Sequence, residues 1–165
     1  MRKIFLPLTK EIIKTLKQGE MVLLSGPVLT ARDAAHKRLA DTLKAGKIIP
    51  VVLRGETIYY VGPTPHRKLE VIGSCGPTTS SRMDPFTPLL LKHGLIGMIG
   101  KGERSKEVIL AIKKHKAVYF ITIGGAGAYL SEKVKSAKVV AYKDLGPEAI
   151  YRLEIKDFPA ITEVS

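Results

Sequence analysis

The sequence predicts an α/β domain, a mixed sheet flanked by helices, of the three-layer or swivelling type rather than a doubly wound one. Three observations carry this. Through the second half of the chain, apolar runs of strand length alternate with amphipathic stretches of helical period, which favours partly parallel pairing. Two β-rich runs, Lys47 to Leu53 and Thr57 to Val61, are joined by Arg54-Gly55-Glu56 and read as a hairpin, adding antiparallel character. With 45% hydrophobic residues in 165, a core of domain size is available. No linker, repeat or low-complexity stretch divides the chain, so residues 1–165 read as a single domain.

In chain order, Thr9 caps a short helix from Lys10 to Lys17 with Ile12, Ile13 and Leu16 inward and Gly19 closing it. Met21 to Leu24 reads as a buried strand. Thr30 is expected to cap a helix reaching Lys44, with Asp33 at the capping-box position and Gly46 past the end. After the hairpin, Leu69 to Ile72 reads as a strand, and Asp84-Pro85 as the N-cap and first residue of a helix ending near His93. A strand at Leu95 to Ile99 leads to a helix capped by Ser105 and ending at Lys116. A strand at Val118 to Ile123, a short helix through Tyr129 to Val134, and strands at Lys138 to Tyr142 and Tyr151 to Ile155 complete the chain.

Composition excludes several classes. No apolar run approaches the roughly 18 residues that span a bilayer, and Met1 to Leu8 lacks a signal-peptide core, so a cytoplasmic protein with no membrane contact is expected. A single cysteine, Cys75, forbids an internal disulfide, a CxxC-type zinc site and a self-contained thiolate cluster, so no metal site is assigned to this chain. Lys plus Arg number 27 against 15 Asp plus Glu, a formal charge of +12. Such a field favours an anionic partner: a carboxylate or phosphate substrate, nucleic acid or an acidic protein surface.

Three places resist a purely structural account. Ala31, Ala35, Leu39 and Leu43 form one stripe of the helix after Thr30; Arg32 projects into it, His36 borders it, and a cation in the first turn opposes the helix dipole. Arg32 therefore pairs with a structural carboxylate, snorkels out to solvent or serves an anionic ligand. The segment Gly73 to Asp84 carries Thr78-Thr79-Ser80-Ser81-Arg82 between a strand and a helix. Free N–H groups, hydroxyls and the planar Arg fork suit a carboxylate, while local capping bonds by the hydroxyls are the alternative. Gly97-Met98-Ile99-Gly100-Lys101-Gly102 does not match G-x-x-x-x-G-K-[ST], yet Lys101 between glycines at a strand end can reach a site as a point charge. Gly124-Gly125-Ala126-Gly127 reads as a tight turn, Lys113 to Lys116 as a solvated helix end, and His66 and His93 as lone histidines. With aromatics at 6% and no Trp, an RNA-stacking platform has little support.

Five blocks resemble the β subunit of two-subunit iron–sulfur hydro-lyases, the class I fumarate hydratase and L(+)-tartrate dehydratase family. They are Leu24-Ser25-Gly26, the run Thr30 to Arg38, Tyr59 to Pro63, the run Gly76 to Asp84, and Gly100-Lys101-Gly102. The resemblance implies a swivelling β/β/α domain and a partner α subunit whose cysteines hold a [4Fe–4S] cluster with one open iron, a Lewis acid toward the substrate. It implies reversible hydration of fumarate to L-malate, in a site shared between the subunits of an α2β2 assembly. By motif, Arg32, Arg82 and Lys101 would clamp the carboxylates of a C4 dicarboxylate. Thr78 would transfer a proton, assisted by an Asp of the α chain, Thr79 would orient substrate, and His36 would support. L(+)-tartrate dehydratase β subunit is the near alternative. A basic module for nucleic acid or another anion and a purely structural subunit are the readings from other classes; the family reading involves no nucleic acid.

Overall fold

The computed structural model describes residues 1–64, 70–122 and 126–165. Its elements are β1 (Arg2–Phe5), α1 (Lys10–Thr15), β2 (Met21–Thr30), α2 (Asp33–Lys44), β3 (Thr57–Tyr59), α3 (Thr87–Lys92), β4 (Gly97–Gly100), α4 (Lys106–Lys114), β5 (Val118–Ile121), α5 (Gly127–Ser131), β6 (Val134–Ala141) and β7 (Ile150–Val164). Two 3-10 turns lie at Ser80–Met83 and Lys143–Glu148.

Among the described residues the strands form one sheet in the order β1-β2-β3-β4-β5-β7-β6. Pairing is parallel from β1 through β5 and antiparallel wherever β7 takes part. The 15-residue β7 runs along β2 as well as β5 and β6, so β2, β3, β4, β5 and β7 close into a ring. Closure requires β2 to bend, and its register against β7 shifts between Leu24 and Gly26. Gly26 has φ +129°, and a Cβ there would lie 2.7 Å from the Leu6 carbonyl oxygen, so only glycine fits.

Alternate side chains of a strand point to opposite sides, and β3, β4 and nearly all of β5 are buried on both faces. One core gathers Val22, Leu24, Val28, Tyr59, Ile99, Phe120, Leu153 and Phe158 with Ile13 of α1 and Leu130 of α5. The other lies between the opposite face (Leu29, Ile58, Tyr60, Met98, Tyr119) and Leu39 of α2, Leu90 and Leu91 of α3, and Val108 and Ile112 of α4. Full burial of each large apolar side chain contributes about 2–3 kcal/mol. The expected mixed sheet flanked by helices is present, and its closure into a ring adds to the expectation.

The caps at Thr9 and Ser105 are as expected, each hydroxyl accepting from the backbone N–H three residues on. Several local expectations need correction. Lys47 to Leu53 is not a strand and no hairpin forms; Thr57–Tyr59 pairs parallel to β2 and β4, while Ile49, Val51 and Leu53 pack on the helix-side core as irregular chain. Thr30 does not cap α2. It is the last residue of β2, and its hydroxyl accepts from Tyr151 N–H at 3.0 Å; Arg32 stands at the N-cap, and Glu148 accepts from Ala34 N–H at 3.2 Å. The helix after Asp84-Pro85 begins only at Thr87, because Asp84 ends the 3-10 turn and turns its carboxylate to another helix. The helix near Tyr129 starts at Gly127 and ends at Ser131. Val71 and Ile72 form no strand, and Leu69 lies outside the described residues, as do His66, Ile123, Gly124 and Gly125.

Candidate active site

The parallel strands β2, β3 and β4 end at one edge of the sheet, and each leads straight into a residue singled out above or its neighbour. Arg32 follows β2, Tyr60 to Gly62 follow β3, and Lys101 follows β4. The hydroxyl-rich loop is stitched onto the same edge. Thr78 N–H donates to Tyr60 O at 2.7 Å, Ser80 N–H donates to Lys101 O at 2.9 Å, and Thr79 forms an isolated parallel bridge with Lys101. The 3-10 turn then carries Arg82 to α2, where its Nε and Nη2 lie 3.0 and 2.9 Å from Asp33 Oδ2. Arg32, Thr78, Thr79, Arg82 and Lys101 are thus gathered on one shelf, with Thr79 and Arg82 exposed.

Arg32 is extended (φ −115°) at the N-cap rather than inside the first turn, and Asp33 is the first-turn acid. Its side chain crosses Gly62 so closely that a Cβ there would sit 2.7 Å from Cδ and 3.0 Å from Nη1. Its Nε is buried and has no partner among the described residues. An orphaned guanidinium N–H is costly unless a ligand or partner accepts from it.

His36 is wholly buried, with Nδ1 2.8 Å from the Arg32 carbonyl oxygen, which can only accept; Nδ1 therefore carries the proton and donates. Burial above all lowers its pKa to about 4, the nearby Arg104 charge acting in the same direction, so the ring is neutral near pH 7. It meets Tyr60 edge-on at 5.3 Å between centroids. His36 Nε2 is buried without a partner among the described residues.

Arg104 is a further residue of this edge that no local sequence pattern marks. Its side chain has no solvent exposure; Nε donates to Asp84 at 2.7 Å, and Nη2 donates to Thr87 Oγ1 at 2.9 Å and Tyr60 OH at 3.2 Å. The guanidinium lies 5.2 and 4.7 Å from the Tyr60 and Tyr119 ring centres. Asp84 also accepts from Ser105 N–H at 2.8 Å, and Tyr119 OH donates to Gly102 O with Ser80 Oγ 2.7 Å away. This network braces the back of the Thr78–Arg82 loop and the turn after Lys101. Nothing near Arg104 in sequence signals it, because its partners come from three distant segments.

The residues of this chain do not fit a bound iron–sulfur cluster. Cys75 is the one cysteine; it is buried, and desolvation pushes its thiol up to about 12, whereas a cluster ligand is a thiolate. Among the described residues no three His, Cys, Asp or Glu side chains group as a metal site.

Fold and edge together define an α/β domain with a basic, hydroxyl-lined shelf at the ends of parallel strands. The family described as Fumarase C-terminus matches residues 1–165, and the chain belongs to it. It is 41% identical over 143 residues to Fumarate hydratase 1, mitochondrial, of Leishmania major (86% of this chain, 26% of the relative). It is 40% identical over 156 residues to the anaerobic class I fumarate hydratase of Escherichia coli K12 (92% and 28%). A protein of Methanocaldococcus jannaschii, provisionally named L(+)-tartrate dehydratase subunit beta, is 36% identical over 159 residues (93% and 82%). The chain therefore spans about a quarter of the length of those two fumarate hydratases and most of the length of the beta subunit. The family resemblance read from the sequence is shown.

Proposed function

We propose that this chain is the β subunit of an iron–sulfur hydro-lyase of the fumarate hydratase type, converting fumarate and water reversibly to L-malate. Residues 1–165 act as its single domain. The supporting observation is the shelf itself: three cations and a hydroxyl loop from separate segments meet at the ends of adjacent parallel strands, with the buried Arg32 Nε left for an acceptor. Arg32, Arg82 and Lys101 pair with the two carboxylates of the substrate, because desolvating a dianion requires several well-placed donors. Thr78, whose N–H anchors it beside Tyr60, faces the reacting carbons and relays the proton, with an Asp of the partner raising its basicity; a lone threonine hydroxyl is a poor base. Thr79 orients substrate. Neutral His36 holds the Arg32 carbonyl and takes no proton near pH 7.

The [4Fe–4S] cluster belongs to an α subunit that supplies its cysteines, in a cytoplasmic α2β2 assembly. The Methanocaldococcus relative supports a separate subunit, being a beta subunit by name and similar in extent. The same relative favours a second reading, L(+)-tartrate dehydratase, whose substrate is also a C4 dicarboxylate.

Arg82→Ala in the assembled enzyme tests the assignment. The expected result is a fall in kcat/KM for fumarate of about 100-fold or more with thermal unfolding unchanged, the cost of losing a charge-assisted carboxylate clamp. Wild-type kinetics in that variant would remove the clamp.

A further inference from the structure

We infer that Asp33 is a positioning residue that fixes how Arg82 presents its guanidinium and, with it, the spacing between the two arginines that meet the substrate. The inference rests on the dicarboxylate reading above and assigns a role to a residue outside its clamp.

Asp33 opens α2 immediately after Arg32, and its Oδ2 accepts from Arg82 Nε at 3.0 Å and pairs with Arg82 Nη2 at an ion-pair distance of 2.9 Å. The hydrogen bond and the ion pair hold the Nε–Nη2 edge of the guanidinium against Asp33 and leave the Nη1 side for a ligand. The partners are 38% and 50% exposed, so the pair contributes little to stability; what it supplies is orientation. A helix-dipole role alone would explain an acid at this position but not the bond to a residue 49 positions away. Asp33 Oδ1 is buried without a partner among the described residues, a placement that serves the Arg82 contact at some cost to the carboxylate.

Charge balance points the same way. A bare carboxylate beside a dianion site repels the ligand, but one committed to a cation does not. Arg32, Arg82 and Lys101 with Asp33 leave two positive charges, the complement of a dianion. Because Arg32 and Asp33 are consecutive at the start of one helix, a single rigid element sets both guanidinium positions, which makes the site selective for carboxylate separation.

The test is a double-mutant cycle in the assembled, cluster-loaded enzyme, using Asp33→Asn, Arg82→Ala and the double variant, with KM, kcat and the unfolding midpoint measured for each. Asp33→Asn keeps shape and one acceptor, so folding is retained. The expected result is a KM for fumarate raised about tenfold with kcat within about twofold and an unchanged midpoint, an effect that disappears when Arg82 is already alanine. An equal effect of Asp33→Asn with and without Arg82 would overturn the positioning role while leaving the clamp intact. So would a lowered midpoint with unchanged KM, which marks a helix-start role. Wild-type kinetics for Arg82→Ala would overturn both the clamp and this inference.

Discussion

Two arginines at the same end of the sheet have opposite surroundings. Arg104 is enclosed by Asp84, Thr87 and the rings of Tyr60 and Tyr119, and its side chain has no exposure. Arg32, over Gly62, keeps a buried Nε with no acceptor among the described residues. A buried cation surrounded by partners is a brace, since its desolvation is offset inside the chain. One with an open donor is, under the proposed function, the position left for a carboxylate of the substrate. The contrast separates framework from site more sharply than charge or burial does.

The largest effect that can break this contrast is on Arg104. Arg104→Ala strands the mostly buried Asp84 and is expected to destabilise the chain by about 3–5 kcal/mol, a drop in Tm of about 10 °C by thermal denaturation. Activity should fall only as the folded fraction falls. Arg32→Ala should do the reverse: kcat/KM for fumarate lower by about 100- to 1,000-fold in the assembled enzyme, with Tm within about 3 °C. If Arg32→Ala unfolds the chain as readily as Arg104→Ala, the contrast is lost.

Why Arg32 was legible in the sequence and Arg104 was not follows from the range of the interactions. Arg32 stands out as a cation at a helix start, Thr78 to Arg82 as a run of hydroxyls ending in an Arg, and Lys101 as a cation between glycines at a strand end, so each carries a local signal. Arg104 precedes a helix cap, a place where a charged residue is ordinary, and only Asp84, Tyr60 and Tyr119 make it unusual. The fold divides in the same way. The alternation from β4 through β5 and the caps of α1 and α4 are set by neighbours and were readable. The pairing of β7 with β2 joins residues more than 120 apart and leaves no local trace. The run Lys47 to Leu53 has strand composition, but its apolar side chains find the helix-side core without a sheet partner.

Smaller effects sharpen the account. His36 has a folded pKa of about 4, below the unfolded value near 6.5, so the unfolded chain binds its proton first as pH falls. Stability is present above about pH 6.5 and lost toward pH 4, by at most about 3 kcal/mol. Arg104 and Asp33 are the charged groups that act on the ring. His36→Gln should flatten the slope of Tm against pH across that window, and an unchanged slope would contradict the assignment. Gly62→Ala meets the flexible Arg32 side chain most closely, with the Pro147 carbonyl oxygen next at 3.3 Å, so it should move that side chain at a small cost in Tm and raise KM about tenfold. A lowered Tm with unchanged KM would show that Gly62 serves the fold and not Arg32.

The central claim, that this chain is half of a shared hydro-lyase site, is tested most directly by anaerobic fumarate hydration. The assay compares the chain alone, a cysteine-bearing α subunit alone with its cluster reconstituted, and the two mixed, with tartrate run in parallel. The account predicts turnover only in the mixture, with fumarate preferred. Turnover of tartrate alone would transfer the same site to the dehydratase reading, and stable assembly with a loaded cluster but no turnover of either substrate would contradict the proposed reaction.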